Sequence, residues 1–194
     1  MRLVHDSEGG FGMDREKAIK AIEDLLDALG EDRNREGLKE TPRRVADAFA
    51  EFVSGEGKSA KEHLEKTFTC EGGEMVVEKD IEFSSTCEHH LMPFFGKIAI
   101  AYIPDGRVVG LSKLARTVEV FSKRLQLQER LTDEIAEAIM QYLKPKGVMV
   151  VCEGVHTCMT CRGIKKADSK TLSYSVKGDF PEENKKEVFA LIKK

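Results

Sequence analysis

Between Glu74 and Gly178 the residue pattern changes period twice, and that order of changes leaves few folds open. Glu74 to Ser84 alternates imperfectly, as a half-exposed strand does, and Phe95 to Ile103 is rich in β-branched and aromatic residues. Pro104-Asp105-Gly106 turns the chain into Arg107 to Gly110, which reads as a hairpin. Leu114, Val118, Phe121 and Leu125 then mark one face of a helix, and Ile135, Ala138, Ile139 and Tyr142 mark a second, with Gln126 to Arg130 as the junction. Lys144-Pro145-Lys146-Gly147 stops that second helix. Gly147 to Ile164 reads as a strand pair or one long bent strand, and Thr171 to Gly178 as another strand. Strand, strand, helix, helix, strand, strand predicts an α+β domain in which two antiparallel hairpins carry both helices on one face.

Helical spacing also runs through Ala18, Ile19, Ile22, Leu25, Leu26 and Leu29, with Gly30 as its stop. Thr41-Pro42 predicts a second helix, to about Val53, with Thr41 as N-cap, and Lys58 to Glu65 a short third. Glu182 to Lys193 closes the chain as a helix. Residues 1–66 read as an N-terminal arm and helices, and 67–194 as the main body, within one domain of 194 residues.

Net charge is −3, so no global field draws the chain to nucleic acid, and an anionic ligand needs a local basic cluster. No apolar run approaches the roughly 20 residues of a membrane span, and Met1 to Met13 has no apolar signal core, so a cytoplasmic protein is expected. In that compartment five cysteines argue for metal ligation, nucleophiles or core filler over disulfides. Cys70 and Cys152, each alone in a strand-like run, read as filler, and His5 and His63 as surface residues.

Cys87-Glu88-His89-His90 and His156-Thr157-Cys158, with Cys161 and Arg162 close behind, concentrate the donors that zinc prefers. Two arrangements compete. Cys87, His90, Cys158 and Cys161 make a closed structural site, or three of them bind and a water completes the ion. If the second segment is a strand, His156, Cys158, Thr160 and Arg162 share a face and Cys161 points away, which favours the open site. A zinc ion with three protein ligands lowers the pKa of its water from 15.7 to about 7, and the spare His89 and His156 suit proton transfer beside it.

Ser112, Lys113 and Arg116 sit where a helix starts, a place whose free N–H groups and dipole favour anions. Arg162 adds a cation on the metal-facing side. Glu129 in Gln126-Leu127-Gln128-Glu129-Arg130 has the chemistry to accept from a guanine edge, with Gln128 beside it, although nothing in the residues alone specifies guanine.

These four motifs, Cys87-Glu88-His89-His90-Leu91-Met92-Pro93-Phe94, Gly110-Leu111-Ser112-Lys113-Leu114-Ala115-Arg116, Gln126-Leu127-Gln128-Glu129-Arg130-Leu131-Thr132 and His156-Thr157-Cys158-Met159, resemble GTP cyclohydrolase I in order and without large insertions from about Asp14 to Phe180. Glu40-Thr41-Pro42-Arg43-Arg44 resembles the family's N-terminal entry. The resemblance implies a zinc ion on Cys87, His90 and Cys158, and His89 and His156 as proton-transfer groups. It implies a triphosphate held by Ser112, Lys113, Arg116 and Arg162, with Arg44 reaching in from a neighbouring subunit, and guanine held by Glu129 with Gln128. It also implies the tunnelling fold, in which strands close a barrel between subunits, in a homo-oligomer, a toroidal decamer with interface active sites. The implied reaction opens the imidazole ring of GTP, releases formate and gives 7,8-dihydroneopterin triphosphate, the first step of pterin and tetrahydrofolate biosynthesis.

Cys161 departs from the apolar residue usual there, and Lys170 to Phe180 follows the family only loosely. The alternatives are a zinc-stapled interaction protein without catalysis, a GTP hydrolase that stops at the ring-opened formamide, and the related nitrile reductase of deazaguanine synthesis. The last uses a nucleophilic cysteine and NADPH and lacks the paired-histidine motif.

Overall fold

The structure, a computed structural model, describes residues 12–193. His5 and most of the arm expected over Met1 to Met13 lie outside them.

Helix α1, Arg15–Ala28, starts at Asp14, whose carboxylate accepts the Lys17 N–H at 3.0 Å, and it ends before Gly30 at φ +77°. Helix α2 is Thr41–Phe52. Its expected cap is corrected: Glu40 holds the cap position without a side-chain bond. The Thr41 N–H already bonds Leu38 O at 3.0 Å, so its hydroxyl donates back to Gly37 O at 3.3 Å. The two helices pack on each other, with Leu26 and Ala46 buried and an Arg15–Asp47 ion pair at 2.8 Å. Helix α3, Lys61–Leu64, is one turn that buries Leu64. His63, expected at the surface, is half-buried beside Glu62.

The strands are β1 (Thr67–Thr69), β2 (Val76–Cys87), β3 (Met92–Ile103) and β4 (Arg107–Val109). After the Gly106 turn, β4 does not fold back on β3 as expected. It pairs antiparallel with β1, and the Val109 N–H that a hairpin would use donates to Tyr102 Oη at 3.3 Å. Helix α4 (Leu111–Ser122), the two-residue β5 (Leu125–Gln126) and helix α5 (Gln128–Ala138) follow. Gln128 to Arg130, expected in a junction, therefore form the first turn of α5. A π-helical turn, Ile139–Leu143, extends α5 to Lys144 at φ +56°. Strand β6 (Gly147–His156), the single turn α6 (Thr157–Thr160), β7 (Thr171–Gly178) and helix α7 (Glu182–Ile192) complete the chain.

The five-stranded sheet has the order β5-β2-β3-β6-β7, antiparallel except where β5 runs parallel to the end of β2. Alternation along the central strands makes two cores. Ile98, Ile100, Tyr102, Val148, Val150 and Cys152 face the α4–α5 side, with Leu114, Leu131 and Ile135. Ala99, Ala101, Met149 and Val151 face the other side, with Phe180 and Val188 of the α7 segment. Both middle helices thus share one face as expected, and α7 covers part of the opposite one. Among the described residues no helix is long and apolar enough to cross a membrane.

Gly96 and Gly154 oppose each other on β3 and β6. A Cβ on Gly96 would lie 1.9 Å from Glu153 O, a backbone atom that cannot move without parting the strands. Gly96→Ala is expected to cost about 3 kcal/mol or more of stability. Denaturant unfolding checks this, and an unchanged midpoint would contradict the close approach.

Candidate metal centre and its surroundings

The backbone at the end of β2 brings the first donors together. Cys87 is the last residue of the strand, paired with Met92 across a tight turn. Its carbonyl accepts the His90 N–H at 3.4 Å and the Leu91 N–H at 2.9 Å, and Leu91 takes φ +53° to close the turn. The turn folds the His90 ring back toward its own strand, so that Nδ1 stands 3.8 Å from Cys87 Sγ. His89 is exposed, its ring edge-on to His90 at 6.1 Å between centroids.

Strand β6 supplies the rest by running antiparallel to β3, with His156 opposite Phe94. The imidazole stacks on the Phe94 ring at 4.5 Å and an interplanar angle of 4°. The chain then turns into α6, which carries Cys158. The donor atoms of Cys87, His90 and Cys158 all lie within 4.8 Å of one another. Zinc bonds of about 2.0–2.3 Å set tetrahedral neighbours about 3.5–3.8 Å apart, so the 3.8 Å between Cys87 Sγ and His90 Nδ1 suits that ion, and two sulfurs with one ring nitrogen are donors it prefers. Burial and the adjacent Cys87 thiol push the Cys158 thiol up from its ordinary value, and nearby Arg162 pulls it down.

Gly147 to Ile164, expected as a strand pair or one long bent strand, is a single strand only to His156 and then a helical turn, so the alternation that set Cys161 apart from Cys158 is corrected. In a helical turn residues three apart share a side. Cys161 is directed elsewhere by its own bond: its thiol donates to Thr157 O at 2.8 Å and the residue is exposed. Arg162, placed on the metal-facing side by the same alternation, is an exposed residue just beyond α6.

Gln128 is where structure and expectation part most clearly. Anticipated beside a guanine edge, it is only 1% exposed. Its Nε2 is surrounded by acceptors: Cys152 O at 3.1 Å, Thr171 O at 2.9 Å and Ser173 Oγ at 3.1 Å. Only Oε1 is left for His156 Nε2, at 2.8 Å, so that ring nitrogen is the donor and Nδ1 the basic one. Thr132, one turn on, donates to Gln128 O at 2.7 Å and also meets Ser173 Oγ at 2.8 Å. A Cβ on Gly154 would lie 2.5 Å from Gln128 Oε1, so the glycine makes room for the amide. The i, i+4 pair of polar residues Gln128 and Thr132 was the available signal, hidden by reading this segment as a loop. Burial lowers the His156 pKa, against the pull of Glu129, which favours the charged form. The unfolded chain therefore takes up the proton first as pH falls below the ordinary histidine value, and acid withdraws stability here.

Glu129, next to the buried Gln128, is exposed on the first turn of α5. Ser112 and Arg116 are exposed, and Lys113 half-buried, on the first turns of α4, which has no side-chain cap on its N–H groups. Arg116 also lines a cavity of about 840 Å³ with His63, Glu119 and Lys123. Arg44 is exposed on α2, the helix that packs against α1. Cys152, read as filler, is buried with its thiol pushed up to about 12. Cys70 is half-buried and donates to Gly72 O at 3.5 Å.

A sequence model described as GTP cyclohydrolase I matches residues 18–193. A protein of Clostridium perfringens named GTP cyclohydrolase 1 is 57% identical over 182 residues, which cover 93% of this chain and 98% of that one. Its namesake in Clostridium kluyveri is 55% identical over 93% of this chain and 99% of its own. A third, from Streptococcus pneumoniae, is 55% identical over 87% and 91%. The chain belongs to the GTP cyclohydrolase I family.

Proposed function

We propose that the chain is a GTP cyclohydrolase, which hydrolyses the imidazole ring of GTP, releases formate and yields 7,8-dihydroneopterin triphosphate for pterin and folate biosynthesis. One observation carries this beyond family membership: the Cys87, His90 and Cys158 donors converge beside an oriented, half-buried His156. Zinc is the ion whose chemistry matches two thiolates and an imidazole, and when bound it supplies a water of pKa about 7 at neutral pH.

The chain's own groups then have separable tasks. His156, pinned through Nε2 to Gln128 and flat against Phe94, exchanges a proton through Nδ1 with the purine ring nitrogen as C8 is hydrated. The ring opens to the formamide, and a second hydration, with His89 as the other proton carrier, releases formate. Ser112, Lys113 and Arg116 at the start of α4, with Arg162, hold the triphosphate, and Glu129 accepts from the guanine edge. These contacts lie away from C8, so they position the substrate, an effect that contributes several kcal/mol elsewhere. Gln128 acts by holding His156.

Arg44, exposed on α2, reaches the triphosphate of a second copy. The outer edge of β7, with exposed Leu172 and Tyr174, supports strand pairing between subunits that closes a barrel, in a cytoplasmic homo-oligomer of decameric type.

Purified protein given GTP should produce pterin fluorescence and one formate per GTP, both abolished by a chelator and restored by zinc; turnover indifferent to chelation contradicts the reading. Cys158→Ser should lose the metal and all hydration, and stoichiometric metal in that variant would contradict the ligand set. His156→Ala should keep GTP and zinc binding and lose formate release. Gln128→Leu should lower kcat by about 10- to 100-fold with KM nearly unchanged. It should also cost about 2 kcal/mol of stability through the acceptors it abandons. Wild-type kcat in that variant would remove its orienting role.

A further inference from the structure

The turn that carries His89 and His90 is exposed, yet the donors on it must hold their geometry to a few tenths of an ångström. A guanidinium helps to tie it down. Arg130, in the first turn of α5, reaches back with Nη2 to Glu88 Oε2 at 2.5 Å and to Leu125 O at 2.8 Å, and with Nε to Gln126 Oε1 at 2.9 Å. Gln126 is itself buried and fixed, its amide donating to Phe121 O at 3.0 Å and Glu134 Oε2 at 2.8 Å. The main chain repeats the link, with the Glu88 N–H on Gln126 O at 3.0 Å and Cys87 in register with Gln126.

We infer that Arg130 is a positioning residue for the metal centre: it locks the turn bearing Cys87, His89 and His90 to the helix start bearing Gln128 and Glu129. Glu88 follows the donor Cys87 and lies two residues before the donor His90, so a displacement of its carboxylate disturbs the turn between them. A surface ion pair alone contributes little, and this pair is about one-third exposed on each side. The fork is different because one planar group on α5 holds the Glu88 turn and β5 at once, which a lysine cannot do. The inference rests on the metal reading above, and the experiment separates the two.

Zinc affinity is measured by competition with a chromophoric chelator for the wild type, Arg130→Met, Arg130→Lys and Glu88→Gln, with circular dichroism recorded for each. Loss of a group that orients metal ligands typically weakens metal binding about 10- to 100-fold, and Arg130→Met should fall in that range with an unaltered far-UV spectrum. Its kcat should fall with it while KM for GTP stays within about threefold. Arg130→Lys should recover part of the loss, and Glu88→Gln should shift zinc affinity in the same direction by less. A wild type that takes up no zinc overturns the metal reading. A wild type that binds zinc beside a folded Arg130→Met of equal affinity overturns the positioning role alone. Should Arg130→Met not fold, Glu88→Gln at wild-type zinc affinity overturns it as well.

Discussion

Everything at this centre depends on β3 being paired on both sides in one register. On one side it holds β2, so that Cys87 meets Met92 and the intervening turn points the His90 ring back. On the other it holds β6, so that His156 lands on Phe94 and α6 begins beside Cys87. Sheet side chains alternate with period two, and a one-residue slip of β6 would turn His156 to the opposite face and carry Cys158 away. Gly96 and Gly154 are the local condition for that register, because a side chain on either would meet the other strand or the buried Gln128. The donors are distant in sequence, and backbone pairing alone brings them together.

The first turn of α5 divides the work between neighbouring residues. Gln128 points inward, where its amide joins Cys152, Thr171, Ser173 and His156, while Glu129 points outward and keeps its carboxylate accessible. A buried amide with every polar atom satisfied is rigid, and that rigidity passes to the imidazole it holds. Burial holds the His156 pKa below the ordinary histidine value, and Glu129, which favours the charged imidazole, opposes it. At α4 the chemistry is plainer: uncapped N–H groups and cations sit on an exposed helix start.

Much of this was legible in the residues, and the reasons for the exceptions are physical. The donors Cys87, His90 and Cys158 stood out because thiol and imidazole are scarce and were clustered. The apolar periods of β3, β6 and α5 fixed their types because both faces of the sheet are covered by packing. The partner of β4 was not legible, since Arg107–Val109 is too short to carry a pairing signal and a tyrosine hydroxyl takes its last N–H. The end of β6 is not legible because Thr157 and Thr160 favour strands in isolation, whereas the chain makes a helical turn there, in which strand alternation does not apply to Cys161. Cys161 stays apart through its bond to Thr157 O, a fact no spacing rule contains. Gln128 and Arg130 were hidden for one reason: polar residues in an apparent loop give no sign of whether they face solvent, a ligand or the protein interior.

In the proposed centre two sulfurs and one nitrogen hold an ion, with room for a reacting oxygen. Zinc-edge X-ray absorption on the reconstituted protein tests it most directly. Two sulfur scatterers at about 2.3 Å and two nitrogen or oxygen scatterers at about 2.0–2.1 Å are expected. Three or more sulfurs in that shell would bring Cys161 into the coordination sphere, close the site, and contradict the account.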